Sequence, residues 1–188
     1  MYRLFVAVDI PNEIKHSLAA LCTGLPGVRW VNSNQMHLTL SFLGDVEENR
    51  FHDCKELLYT IKADQFTLTL KGIGLFLNKK RAQTLWVGLK ESDELQNLHR
   101  TIDKALIKLG FPVDSRKFHP HITLGRIKKI STERLHSYID YFSDYESAAF
   151  TVNEFILYSS ILRPEGPLHK AEERYLLKER STFEFYNE

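Results

Sequence analysis

Two short stretches of this chain carry the residue types that general acid–base chemistry needs. The first is His37-Leu-Thr-Leu40, within Ser33 to Gly44, and the second is His121-Ile-Thr-Leu124, within His119 to Arg126. Read with period two, His37, Thr39 and Ser41 face one side of a strand while Leu38, Leu40 and Phe42 face the other. An imidazole and a hydroxyl two positions apart stand about 6–7 Å from each other at the backbone. That is close enough to act on one small anionic group. Two imidazoles with ordinary pKa values near 6.5 can sit one neutral and one protonated at physiological pH, supplying a base and an acid together. Threonine hydroxyls and nearby N–H groups can hold the non-bridging oxygens of a phosphoryl group. One His-x-Thr in a chain with 8 histidines is weak, because a polar histidine on an exposed sheet face explains it equally well. A second copy 84 positions later, with apolar residues at the same two places, turns the balance toward function.

The surrounding pattern must supply two strands to carry these pairs. Residues 2–8 read as a buried strand, and Pro11 opens a helix with Ile14, Leu18 and Leu21 on one face, ended by Pro26-Gly27. Residues 28–31 form a short strand, and the first motif strand runs from about 36 to 43. Asp45 and Glu48 have capping-box spacing ahead of a helix with Phe51, Cys54, Leu57, Leu58 and Ile61 on its face, so that acidic cluster reads as capping rather than catalysis. The alternation at Phe66, Leu68 and Leu70 returns at Thr84 to Leu89, giving a hairpin with Asn78, Lys79, Lys80 and Arg81 at its tip. Ser92 caps a helix whose apolar face is Leu95, Leu98, Ile102, Leu106 and Leu109, closed by Gly110 and Pro112. The second motif strand follows at about 119–128, then a helix from Ser131, then strands at about 149–159 and 170–178 around a loop containing Arg163. Strands interleaved with four helices, including a clear hairpin, predict an α+β fold with largely antiparallel sheets. The 84-residue repeat predicts two pseudo-symmetric lobes with the motifs face to face.

The bulk properties narrow the field. With 188 residues, 43% apolar and 26% charged, the chain has the composition of a soluble globular protein, and no linker-like segment divides it, so residues 1–188 read as one domain. A net charge of +1 excludes a globally basic nucleic-acid binder, so any such contact must come from a local patch. Cys22 and Cys54 lack metal-type spacing and read as buried thiols of a reducing compartment. The apolar run from Leu4 to Val8 is too short for a signal peptide or a membrane span. The cytoplasm is the default location and a monomer the default state.

The two tetrapeptides resemble the signature of the two-histidine phosphoesterases, and their surroundings resemble the LigT-like RNA 2′,3′-cyclic phosphodiesterase branch. The likeness extends over Arg3 to Pro11, Phe42-Leu-Gly-Asp45, Phe118 to Arg126 and Leu157-Tyr-Ser-Ser160. It implies a bilobal fold, two antiparallel sheets about a central cleft with helices outside, and no cofactor. It implies opening of terminal RNA 2′,3′-cyclic phosphates to 2′-phosphates, with 2′–5′ RNA ligation as related reverse chemistry; RNA, including tRNA halves, would be the partner. Carried over, His37 is the proton donor to the leaving 3′ oxygen, His121 the base that activates water, and Thr39 and Thr123 hold the phosphate. The residues alone leave acid and base interchangeable. Two other readings stay open: action on a small cyclic phosphate of the ADP-ribose type, and a non-catalytic RNA- or nucleotide-binding module.

Further residues are candidates of lower rank. His119 shares the parity of His121, which raises a metal reading, but no third ligand is near in sequence and a strand-entry role before Pro120 is the plainer one. Arg126 suits a phosphate, yet strict alternation turns it away from His121 unless a bulge at Gly125 intervenes. Lys79, Lys80 and Arg81 could guide an RNA backbone. Tyr158, Arg163 and His169 lie where the closing strands could reach the cleft. His16, His52, His99 and His136 fall on helices and read as surface residues.

Overall fold

The structure is a computed structural model that describes residues 1–78, 81–114, 116–163 and 166–179. Its strands are β1 (Tyr2–Asp9), β2 (Val28–Trp30), β3 (His37–Val46), β4 (Phe66–Leu68), β5 (Leu70–Asn78), β6 (Arg81–Leu89), β7 (Ile122–Ile127), β8 (Phe150–Val152), β9 (Glu154–Arg163) and β10 (Gly166–Leu176). The helices are α1 (Asn12–Leu21), α2 (Glu48–Tyr59), α3 (Asp93–Lys108) and α4 (Thr132–Tyr141). The main sheet runs β10-β9-β1-β3-β7-β6-β5, with β2 pairing on β7, and every strand pairing in it is antiparallel. β4 and β8 form a separate two-stranded sheet.

The two halves of the main sheet, β10-β9-β1-β3 and β7-β6-β5, meet at one pairing, Leu38 with Ile122. These are the apolar residues inside the two motifs, and both are fully buried. The expected α+β architecture with antiparallel sheets is therefore present, and the motif strands form the junction between the two halves of the main sheet. Beneath it lies a continuous core in which Leu4, Leu18, Leu38, Leu70, Leu98 and Phe155 contribute fully buried side chains. At roughly 1.5–3 kcal/mol for each such side chain, this core anchors both motif strands from below.

Local signals account for most of the helices. α3 buries Leu95, Leu98, Ile102 and Leu106 at helical spacing, and Ser92 Oγ accepts the Leu95 N–H at 3.2 Å. Gly110, at φ +73°, turns the chain away after it. Ser131 caps α4 in the same way through the Arg134 N–H. Among the described residues no helix is long and apolar enough to cross a membrane. Burial pushes the free thiol of Cys22 up to about 11 and that of Cys54 up to about 12, so neither is a ready nucleophile.

Three local expectations need correction. Asp45 does not cap a helix: β3 continues to Val46, with Asp45 opposite Arg3, and Glu47 precedes α2 without a side-chain cap. β1 runs alongside as far as Tyr2 opposite Val46, so Asp45 is held in the ladder rather than at the start of α2. The alternation at Phe66 to Leu70 does not form one strand. It breaks at Thr69, so that β4 pairs with β8 while Leu70 opens the β5–β6 hairpin. The loop around Arg163 is tighter than expected, since β9 and β10 pair out to Arg163 and Gly166. Pro167 is tolerated there because β10 is an edge strand.

Candidate active site

Antiparallel pairing at Leu38–Ile122 fixes how the two motifs meet. One step either way along the register sets Thr39 beside His121 and Thr123 beside His37. Each histidine thus neighbours the threonine of the other motif, about a local two-fold axis through the Leu38–Ile122 pair. All four side chains are half-buried and line one cavity of about 1130 Å³. His121 itself stands just before β7, so the second strand starts later than the sequence suggested.

The two imidazoles are held alike. His37 Nδ1 lies 2.7 Å from the Gln35 carbonyl, and His121 Nδ1 lies 2.8 Å from the His119 carbonyl. A carbonyl oxygen only accepts, so each Nδ1 carries a hydrogen and each Nε2 is the nitrogen that titrates. Aromatic rings fix the planes. Phe5 lies 4.9 Å from His37 and Phe76 lies edge-on 4.6 Å from His121, centroid to centroid.

Both motif strands bulge at the leucine after the threonine. The β1–β3 ladder passes from Ala7–Thr39 to Val6–Ser41 and skips Leu40. The β6–β7 ladder passes from Trp86–Thr123 to Leu85–Gly125 and skips Leu124. A bulge flips the parity of the residues that follow it, up to the next bulge. Ser41, expected beside His37, is buried, and Phe42, expected in the core, is 60% exposed on the cavity wall. By the same flip Arg126 reaches the cavity. The residue skipped is Leu124 rather than Gly125. Gly125 has its own reason: a Cβ there would come within 2.6 Å of Val28, so glycine lets β2 lie against β7. Arg126 Nη1 donates to the buried Thr84 Oγ1 at 2.6 Å, which orients the guanidinium.

Burial holds His37 well below an ordinary histidine, at about 4, with nearby His169 and His121 adding to the depression and Asp9 and the Gln35 hydrogen bond opposing it. His121 is also lowered, first by burial and then by His119 and Arg126, against the hydrogen bond to His119. Arg3, Arg29, Arg126 and Lys128 line the cavity, and no carboxylate does among the described lining residues. This is a cation-rich cleft around two neutral bases. An entering phosphate anion offsets the depression by favouring the imidazolium.

The remaining candidates divide. His169 lines the cavity, with its ring edge-on to His37 at 5.1 Å and to Phe5 at 4.9 Å. Tyr158 stands behind the site, stacked on Phe5 at 5.2 Å. His119 packs its ring on Trp86 and contributes its carbonyl to His121. Among the described residues no three His, Cys, Asp or Glu side chains converge as a metal site requires. Lys79 and Lys80 lie outside the described residues, as do the side chains of Arg81 and Arg163. His16, His52 and His136 are exposed as expected, but His99 is largely buried. Phe5, Phe42, Arg3, Arg29 and Lys128 were not singled out from sequence as site residues. Phe42 and Arg126 could have been found together, since each lies five positions after its motif histidine.

Comparison with known proteins gives matches along most of the chain. The model of one protein family, LigT like phosphoesterase, matches twice, over residues 8–86 and again over 87–169. An RNA 2′,3′-cyclic phosphodiesterase of Archaeoglobus fulgidus is 35% identical over 174 residues, 89% of this chain and 96% of the relative. One of Thermotoga maritima is 36% identical over 176 residues, 89% of this chain and 91% of the relative. The crystal structure of Escherichia coli LigT complexed with 3′-AMP superposes with a TM-score of 0.77 at 27% identity, covering 94% of this chain and 98% of that one.

Proposed function

The chain belongs to the LigT like phosphoesterase family, and from that membership we propose that it hydrolyses RNA 2′,3′-cyclic phosphate ends to 2′-phosphomonoesters. His37 and His121 act as the acid–base pair without a metal. In this reading residues 1–188 form one domain of two related halves, each contributing one motif. The observation that carries it is the crossed arrangement of two His-x-Thr pairs, each imidazole anchored through Nδ1, in a cation-lined cavity.

Thr39, Thr123 and Arg126 hold the non-bridging phosphate oxygens, and the cations offset charge gathering there. His121 Nε2 takes a proton from water as the water oxygen bonds to phosphorus. The bond from phosphorus to the 3′ oxygen breaks, and His37 Nε2–H donates its proton to that oxygen. The product carries a 2′-phosphate and a free 3′-hydroxyl, and the two histidines have exchanged protonation states. Attack of an RNA 5′-hydroxyl on the phosphorus while the 3′ oxygen leaves would by the same proton transfers form a 2′–5′ linkage. The assignment of acid and base follows the resemblance. An exposed aromatic ring, Phe42, on the cavity wall suits a nucleobase, and a relative binds 3′-AMP.

The test is hydrolysis of adenosine 2′,3′-cyclic phosphate and of a short RNA with a cyclic phosphate end, in excess EDTA. His37→Ala and His121→Ala are run alongside. A 2′-phosphate product, with turnover reduced about 10²–10⁴-fold in each variant, is the expected result. Turnover on a small cyclic phosphate of the ADP-ribose type alone would move the substrate away from RNA ends. Binding without turnover in the parent would leave a nucleotide-binding module instead.

A further inference from the structure

The two bulges are stabilised by different partners. A bulged residue loses its place in the ladder, so its carbonyl must find a donor elsewhere. Leu124 O accepts from the backbone N–H of Val31 at 2.8 Å. Leu40 O accepts instead from a side chain, His99 Nδ1 of α3, at 2.9 Å. The local two-fold symmetry of the motifs is broken at this point. The bulge beside Thr123 is held by backbone, and the bulge beside Thr39 by one imidazole.

His99 also reaches the second motif. Its ring stacks on Phe118, with centroids 3.8 Å apart and planes 17° from parallel. Phe118 precedes His119, whose carbonyl anchors His121 Nδ1. On its far side His99 Nε2 faces Asp103 Oδ2 at 3.5 Å, one turn along α3. Asp103 Oδ1 is buried and has no hydrogen-bond partner among the described residues, and its Oδ2 is the oxygen turned to His99. The ring is thereby fixed on four sides: a helix, a carboxylate, the Leu40 bulge and the approach to His121. His99 is not among the cavity-lining residues.

We propose that His99 is a positioning residue that locks the first-motif bulge to the second-motif approach, so that Thr39 and His121 converge on the same phosphoryl group. The proposal rests on the function read above. A histidine that merely filled space would be replaceable by an aromatic of similar shape. One that positions the bulge needs its Nδ1–H.

Two variants separate these cases. His99→Phe keeps the stack on Phe118 and removes the donor, whereas His99→Asn keeps a donor at the Nδ1 position and removes the stack. Both are measured for kcat and KM on a cyclic-phosphate substrate after thermal unfolding confirms a folded state. In His99→Phe, kcat falls roughly tenfold with KM within about twofold of the parent, and His99→Asn recovers most of the loss. Parental kcat in His99→Phe, or His99→Asn no better than His99→Phe, overturns the proposal. If His99→Phe does not fold, His99→Leu takes its place in the same comparison. Turnover is not the only readout: the imidazole Cε1–H resonances of His37 and His121 move in His99→Phe while those of the exposed His52 and His136 do not. If the parent has no turnover, the reading of function fails, and unmoved His37 and His121 resonances then separately overturn the positioning role.

Discussion

Replacing His37 by glutamine should remove a specific part of the protein's acid sensitivity. Folding holds His37 at about 4, against an ordinary value of 6.5, first because the ring is buried and then because His169 and His121 lie near it. Between those two pH values the unfolded chain binds a proton at this position and the folded chain does not. Stability therefore rises with pH across the window, at about 1.4 kcal/mol per pH unit. The penalty is absent above about 6.5 and complete below about 4, where it amounts to roughly 3 kcal/mol, a large part of a typical folding free energy of about 5–15 kcal/mol. Glutamine fills similar space and does not titrate. The measurement is urea unfolding of parent and His37→Gln from pH 4 to pH 7.5, plotting the difference in unfolding free energy. Groups that do not interact with His37 cancel in that difference, which should favour the variant increasingly as pH falls. Inorganic phosphate bound in the cleft stabilises the imidazolium, so it should protect the parent more at pH 5 than at pH 7.5. A difference flat to within about 0.5 kcal/mol over the range would refute the claim that folding suppresses this proton.

The same electrostatics predict a bell-shaped pH dependence of kcat/KM centred below neutrality, with the kcat bell displaced upward once the substrate's phosphate is bound; coincident bells in a pH-rate series would contradict it. Arg126→Gln should lower kcat about 10-fold or more through loss of a charge-assisted phosphate contact while leaving the thermal midpoint close to the parent, since the guanidinium is exposed to the cavity. Gly27→Ala should destabilise by more than about 2 kcal/mol in urea unfolding. Gly27 has φ +91°, and a Cβ there would stand 1.9 Å from the Lys129 carbonyl. An alanine variant as stable as the parent would show that the turn can relax.

Legibility of the chain followed the range of the interactions. α3 was readable in full because its cap, apolar stripe and terminal glycine are all local. The motif pair was readable because a repeat 84 positions long needs no geometry to detect. What escaped were features decided by partners distant in sequence. Asp45 carries the right type and spacing for a cap, but whether it caps depends on how far β1 runs alongside it. Phe42 and Ser41 exchange faces because the ladder to β1 skips Leu40, and nothing in the residues 36–43 announces the skip. β4 separates from β5 only because β8, more than eighty residues later, offers another partner. His99 reads as a surface residue from sequence because, like His16, His52 and His136, it falls on a helix. Its burial comes from Phe118 and the Leu40 carbonyl, neither of which is near in sequence.

The local two-fold axis through Leu38 and Ile122 bears on regioselectivity. A pair of identical groups related by such an axis is blind to direction. Rotating a cyclic phosphate by half a turn presents the 2′ oxygen where the 3′ oxygen had been, and finds the same imidazole, the same hydroxyl and the same anchored Nδ1. By residue type alone the four motif residues therefore do not decide which ester oxygen departs. That choice is made where the two halves differ, and among the cavity-lining residues five positions after each histidine they differ completely: an exposed phenyl ring at Phe42 and a guanidinium at Arg126. Handedness in this cleft lies in its flanks. A change of product from 2′- to 3′-phosphate is to be sought by exchanging those two residues, with both histidines left in place.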